Sequence, residues 1–448
     1  MQNENGLVFT ANKDTWFKDK TNIFLGEWCL KEEDLHQYKN LNFKILDLEK
    51  KKNKEDIKKK FETCDYYYQR LLKDSILNLE KHYNVSWNER SWEIFLGPFL
   101  HRYVAIIYDK YYSLKYALEN YKINNVKLTE YNSFSLLSFD REDFIKKLNS
   151  DNWNLILFSL LWNKYFDQDN LISKTFVRTD SMSKYKYAES VIEKINAITF
   201  IKNLFLKIIE KIFCSKNKFL FYKTYFGSKH LVLKLFNETD TKPFPYDLKF
   251  KIKKKFFVSS LRKNSFNSSY SDNDKFEKIL RELIFQIFPT FYIEEIENLK
   301  HLKKKLLLPR NIKTIYTSTG LWEDSLFKFW LSDSISKNSK LVYSQHGWAY
   351  GSTLYMFSEY IEKRISDIYL NWGWEPDSKN VKRFYSIKLI NHKECKKINS
   401  KKILIIITAF YRYTLENHTH PPWGRYNKIY SYAVQNIIER IPNNKREF

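Results

Sequence analysis

Glycine is scarce in this sequence. Nine occur in 448 residues, where average proteins carry about 7%. A glycine that persists against such a background is expected where the backbone needs one. Seven of the nine fall in the segments discussed below: Gly26, Gly97, Gly320, Gly347, Gly351, Gly373 and Gly424. Cysteine is scarcer still. Cys29, Cys64, Cys214 and Cys395 form no Cys-x-x-Cys pair, so they read as free thiols in a reducing compartment and not as a disulfide framework or a zinc site. No apolar run approaches the ~18–20 residues of a membrane-spanning helix. The best candidates, Trp153–Trp162 and Ile403–Phe410, are far too short. Met1–Gly6 has neither a basic start nor an apolar stretch, so no signal peptide is expected and the expected location is the cytoplasm.

What is abundant is positive charge, a formal +24, on a globular balance of 43% hydrophobic and 29% charged residues. That balance excludes a wholly disordered chain. The charge suggests nucleic acid. However, Lys, Asn, Ile, Phe and Tyr, the residues of AT-rich codons, load the whole sequence. Drift in composition is therefore the preferred source of the charge, and no nucleic-acid partner is expected.

Two short apolar runs, Leu7–Thr10 and Asn22–Leu25, open the chain, and the second ends at Gly26-Glu27-Trp28. Such a strand end is the usual edge of an α/β site. The charge run Lys50–Lys60 reads as a solvated helix face. Trp92, Phe95, Leu96, Phe99, Tyr103, Ile106 and Ile107 predict a buried helix, kinked or restarted at Gly97-Pro98. Residues 110–180 give no clear order. The stripe Ile198–Phe213, with Lys202, Lys207 and Lys211, predicts a helix that packs on a core or lies on anionic lipid. Ser259–Asp274 reads as a loop. Strands are expected at Thr314–Thr317, Lys340–Ser344, Asp367–Asn371 and Ile403–Thr408, with helices at Asp324–Leu331, Glu359–Ile365 and Tyr426–Arg440. This alternation argues for parallel sheets with crossover helices.

The densest cluster of chemically capable residues is Tyr343–Gly351, at the carboxyl end of an expected parallel strand. Gln345, His346, Gly347, Tyr350 and Gly351 stand there. A histidine in that place serves as general base or hydrogen-bonds a sugar or phosphate. Glu359 and Glu362 follow on one helix face. Thr408, Arg412 and Tyr413 come directly after the apolar strand, and an arginine at a strand end suits an anionic group. His418 and His420 lie just beyond. The strings Asp167–Asp169 and Asp272–Asp274 occur at chance frequency in loop-like sequence, so no metal is assigned.

Leu25–Leu30, Ile94–Phe99, Thr317–Ser318, Phe327–Trp330, Ser344–Gly351, Ile365–Trp374 and Thr408–Tyr413 together resemble, in order and spacing, the LIC-type transferases encoded among surface-carbohydrate genes. That family looks like a divergent GT-B glycosyltransferase. The segment 344–373 is also similar to the end of the first domain in teichoic-acid polymerases and non-hydrolysing sugar-nucleotide epimerases. Two positions depart from the pattern: Trp348 stands where a second glycine is usual, and Ile361-Glu362 where His-Glu is usual.

The resemblance implies an α/β, GT-B-like fold, with residues 1–398 as a Rossmann-like acceptor-side domain carrying helical insertions over about 50–300. Residues 401–448 would be only the start of a nucleotide-sugar-binding domain, so the chain is expected to be the front part of a longer protein. It implies a surface-polysaccharide glycosyltransferase using a nucleotide-activated sugar and a glycan or lipid-linked acceptor, independent of metal or other cofactors. Glu27 or His346 would be the general base. Trp28, Thr317, Ser318, Gln345, Gly347, Tyr350, Gly351, Glu359 and Glu362 would meet substrate. Thr408, Arg412 and Tyr413 would meet the nucleotide phosphate. Peripheral contact with the inner face of the plasma membrane, through Ile198–Phe213, is a further expectation. A sugar-nucleotide epimerase or polyol-phosphate transferase on the same scaffold, and a basic nucleic-acid-binding protein, are the alternatives.

Overall fold

The computed structural model describes residues 4–31, 40–46, 48, 53–132, 134–167, 172–178, 219–226, 241–243, 262, 274–305, 310–347, 349–389, 411–413 and 423–442. The strands are β1 (Asn5–Val8), β2 (Thr21–Phe24), β3 (Phe43–Ile45), β4 (Asn125–Thr129), β5 (Ser173–Val177), β6 (Phe219–Tyr222), β7 (Thr241–Pro243), β8 (Thr314–Thr317), β9 (Lys340–Ser344), β10 (Ile368–Asn371) and β11 (Val381–Arg383). The helices are α1 (Lys54–Tyr83), α2 (Glu89–Asn120), α3 (Arg141–Leu148), α4 (Asp151–Leu161), α5 (Lys275–Ile287), α6 (Thr290–Ile293), α7 (Ile296–Lys305), α8 (Gly320–Glu323), α9 (Ser325–Ser336), α10 (Phe357–Ile365) and α11 (Trp423–Glu439).

Two parallel sheets result. The first has the order β3-β2-β1-β4-β5 and the second β11-β10-β9-β8-β6-β7, with every pair parallel. Both orders are doubly wound. The first is the dinucleotide-binding order. The second, read from β7, is the flavodoxin-like order with one added strand. Both sheets lie within residues 5–383. Of the late elements, Ile403–Thr408 lies outside the described residues. α11 packs beside the turn that follows β2, with Tyr432 and Ile437 exposed.

The central strands are short and apolar. β2 is buried along its whole length and β1 from Gly6 onward, as parallel strands covered on both faces must be. The long helix α2 lies at the centre of the molecule. Its residues Ser91 to Ile107 are buried without a break, so this stretch is covered by protein on every side. It packs on α1 and, far along the chain, on α9 and α10. One continuous apolar core therefore joins Leu7 and Val126 of the first sheet to Ile315, Leu341 and Tyr369 of the second.

The expected restart at Gly97-Pro98 is not found, and α2 runs through both residues. Gly97 is there for close approach. A Cβ on it would lie 2.6 Å from Ile361 Cδ1 and 2.8 Å from Tyr68 Oη, so the helix meets α1 and α10 at that point. Caps account for several polar residues read from the sequence. Asp274, the end of one Asp-x-Asp string, accepts from the amides of Phe276 and Glu277 and starts α5. Asp167, from the other, is paired with Lys174. The stripe Ile198–Phe213 lies outside the described residues. No helix among the described residues is long and apolar enough to cross a membrane.

Candidate active site

Strand β9 ends at Ser344, and the next two residues set the chemistry. The His346 side chain is 21% exposed, and its Nδ1 lies 3.7 Å from Oε1 of Glu362 on α10. Its Nε2 lies 3.3 Å from Tyr350 Oη. Tyr350 in turn donates to Glu362 Oε1 at 2.9 Å. Glu362 is fully buried and also accepts from Trp322 Nε1, at 2.5 Å. A partly exposed imidazole thus leans on a buried carboxyl whose position two other side chains hold. This arrangement suits a base that takes a proton from a bound hydroxyl.

Gln345 has a different task. Its Nε2 donates to Gly347 O at 2.7 Å and its Oε1 accepts from Trp372 N at 2.8 Å. The side chain straps the end of β9 to the end of β10. Glu359 likewise serves the loop, accepting from Gly351 N at 2.8 Å and pairing with Lys363 at 2.6 Å. Gly351 has φ +73° and faces the Trp374 ring, a conformation and a space that only glycine fills without strain. At the end of β8, Thr317 Oγ1 accepts from Gly320 N. Ser318 Oγ meets Ser344 Oγ at 2.6 Å and donates to Thr224 O. Thr317 and Ser318 are both fully buried and knit strand ends together.

Trp322 also collects cations. Arg102 of α2 lies over its ring with the guanidinium carbon 5.1 Å from the centroid, and Arg141 of α3 at 5.7 Å. Arg141 donates to Trp322 O at 2.5 Å. Arg141 follows β4 and Trp322 follows β8, so the segments leaving the two sheets meet here. Lys328 is buried close by, donating to Tyr292 Oη at 2.7 Å, and burial followed by the charge of Arg141 and Arg102 holds its ammonium well below the ordinary lysine range.

Glu27, Trp28, Arg412 and Tyr413 stand elsewhere, at the end of β2 in the first sheet. Glu27 opens the turn Glu27–Cys29. Arg412 pairs with Asp151 at 2.9 Å and donates to Trp28 O at 3.1 Å. Tyr413 donates to Asp151 Oδ1 at 2.5 Å. Burial opposes the charge on Asp151, but the hydrogen bonds from Arg412 and Tyr413 outweigh it and hold the carboxyl below its usual range. Lys110 sits beneath, 5.3 Å from the Tyr413 ring centroid, its ammonium pushed down by burial to about 8. Arg412 is thus ion-paired at the first sheet, where Lys31 also reaches Asp151 at 3.1 Å. Thr408, Trp348, His418 and His420 lie outside the described residues.

Sequence patterns did not single out Trp322, Arg102 or Arg141. The available signal for Arg102 was an arginine within the largely apolar run Ile94–Ile107. For Trp322 it was an indole two residues beyond a scarce glycine.

No curated protein matches this sequence, and no solved structure matches it. A family model, that of the LIC12162 family transferases, matches residues 6–436. With nearly the whole chain covered by that match, the protein belongs to the LIC12162 family of transferases.

Proposed function

We propose that the protein is a GT-B-like glycosyltransferase of surface-polysaccharide synthesis, moving a sugar from a nucleotide-activated donor to a hydroxyl of a glycan or lipid-linked acceptor. His346 takes the acceptor proton. The acceptor oxygen bonds to the anomeric carbon, and the bond from that carbon to the nucleotide phosphate breaks, its electron pair leaving with the phosphate. Glu362, fixed by Trp322 and Tyr350, orients the imidazole and stabilises its charged form. The observation that carries this reading is the His346–Glu362 pair at the end of β9, with the imidazole partly open and the carboxyl fully buried. Arg102 and Arg141 on the Trp322 ring support an anionic donor, and two doubly wound sheets support a two-site transferase.

The test is release of nucleotide from a panel of UDP-, GDP- and CMP-sugars in the presence of cell-surface glycan acceptors. His346→Ala should slow turnover by roughly 10²–10⁴, while Glu27→Gln changes it less than about tenfold. The reverse pattern would move the base to Glu27 and the first sheet.

A further inference from the structure

A pocket of about 820 Å³ opens at the carboxyl ends of β10 and β11. Its size falls within the range of small-molecule sites. It is built by the strand ends themselves. Asn371 closes β10 with a turn, its Oδ1 accepting from Gly373 N at 2.9 Å and its Nδ2 donating to Trp374 O at 3.0 Å. Phe384 N donates to Asn371 O at 2.9 Å, which fixes the exit of β11 beside that turn.

Three kinds of group line the pocket. Phe384 and Tyr385 offer ring faces, and Tyr385 is 73% exposed. Trp372 contributes part of its ring to the wall, with its indole nitrogen shielded from solvent. Arg383 stands at the rim as a cation, ion-paired with Glu375, and Lys388 lies nearby over the Tyr225 ring.

We propose that this pocket takes the aromatic base of a nucleotide. Open ring faces stack on any planar heterocycle. The Trp372 ring adds an apolar wall beside them that suits the same flat heterocycle. The cations at the rim fit the phosphates that follow such a base and distinguish it from a neutral sugar, which also stacks on aromatic rings. The pocket is joined to the candidate active site by one side chain. Gln345 holds the backbone of Trp372, and the next residue is His346. A nucleotide based at Trp372 and Tyr385 therefore extends its phosphates along the sheet edge toward the proposed base. The inference rests on the nucleotide-sugar reading above and specifies where the donor sits.

Calorimetry on the full chain tests it, with UDP, GDP, CMP, inorganic pyrophosphate and a neutral maltooligosaccharide as probes. At least one nucleotide should bind, and pyrophosphate should bind far more weakly. Tyr385→Ala, at an exposed position that the fold does not need, should weaken the nucleotide by about 5- to 150-fold. Trp372→Phe should weaken it while leaving pyrophosphate unchanged. Nucleotide binding that neither substitution alters would overturn the inference and leave the transferase reading standing, with its donor elsewhere. Oligosaccharide binding that Tyr385→Ala abolishes, with nucleotide binding unaffected, would make the pocket a glycan site instead. No binding of any nucleotide to the unsubstituted chain would remove both the inference and the nucleotide-sugar reading.

Discussion

Trp322 donates its indole proton to Glu362, forty residues along the chain, at 2.5 Å. The same ring carries Arg102 and Arg141 on its faces. One side chain thus positions the buried carboxyl beneath His346 and holds two guanidinium groups next to it.

Removing that donor should be felt in stability as well as in turnover. Trp322→Phe keeps most of the ring but leaves Glu362 with one of its hydrogen bonds lost. The expected cost is about 1–3 kcal/mol, read as a shift in the urea unfolding midpoint. A midpoint that does not move would mean that water or a neighbouring group replaces the indole without loss.

His101 gives the protein an acid limit. It is fully buried, stacked face to face on Phe357, and neither ring nitrogen has a hydrogen-bond partner among the described residues. Burial first, and Arg102 second, hold its pKa well below the ordinary value. The native state therefore keeps the neutral ring, while the unfolded chain takes up a proton near pH 6.5. This contribution is intact above that pH and is lost as pH falls below it, by up to about 1.4 kcal/mol per unit, until the native pKa is reached. Unfolding free energies at pH 7.5, 6.5 and 5.5 should fall steadily in the parent protein. They should fall less in His101→Phe. Parallel slopes for the two proteins would assign the acid limit to other groups.

A third outcome concerns the contact between α1 and α5. Arg281 is buried and pairs with Asp74 of α1 and, at 2.5 Å, with Glu277, which Arg70 also reaches at 2.8 Å. Arg281→Met leaves Asp74 buried without its cation, which should cost about 3–5 kcal/mol. Adding Asp74→Asn should recover part of the loss. Both are measured by chemical denaturation, and an additive double variant would show that the two residues do not share an interaction.

The sequence made the second sheet's core legible where apolar strands end at turns that carry one of the scarce glycines. The expected bounds of Thr314–Thr317 and Lys340–Ser344 are those found. The expected Asp367–Asn371 differs by one residue. The number of sheets was not legible, because the strands that define them are weak in isolation. β5 is an edge strand exposed along most of its length, so it lacks an apolar run. β6 and β7 have four and three residues and lie among lysines. Pro98 suggested an interruption by a local rule that the packing of α2 overrides. In the candidate site, His346 and Glu362 were found by their place at a strand end and on a helix face. Arg141 and Trp322 were not, because their meeting joins residues 181 positions apart and leaves no local spacing to read.

The shared position of α2 has a consequence for motion. This helix connects strands of the first sheet, yet its covering partners α9 and α10 belong to the second. The first sheet keeps a small interior of its own, Val8, Trp16, Phe17, Phe24 and Cys29, but the large core is common to both sheets. A hinge that opened the two halves would have to peel one of them from α2 and wet the middle of the core. The two sheets should therefore melt together as one cooperative unit, and substrate entry should depend on the loops at the strand ends rather than on rigid halves swinging apart.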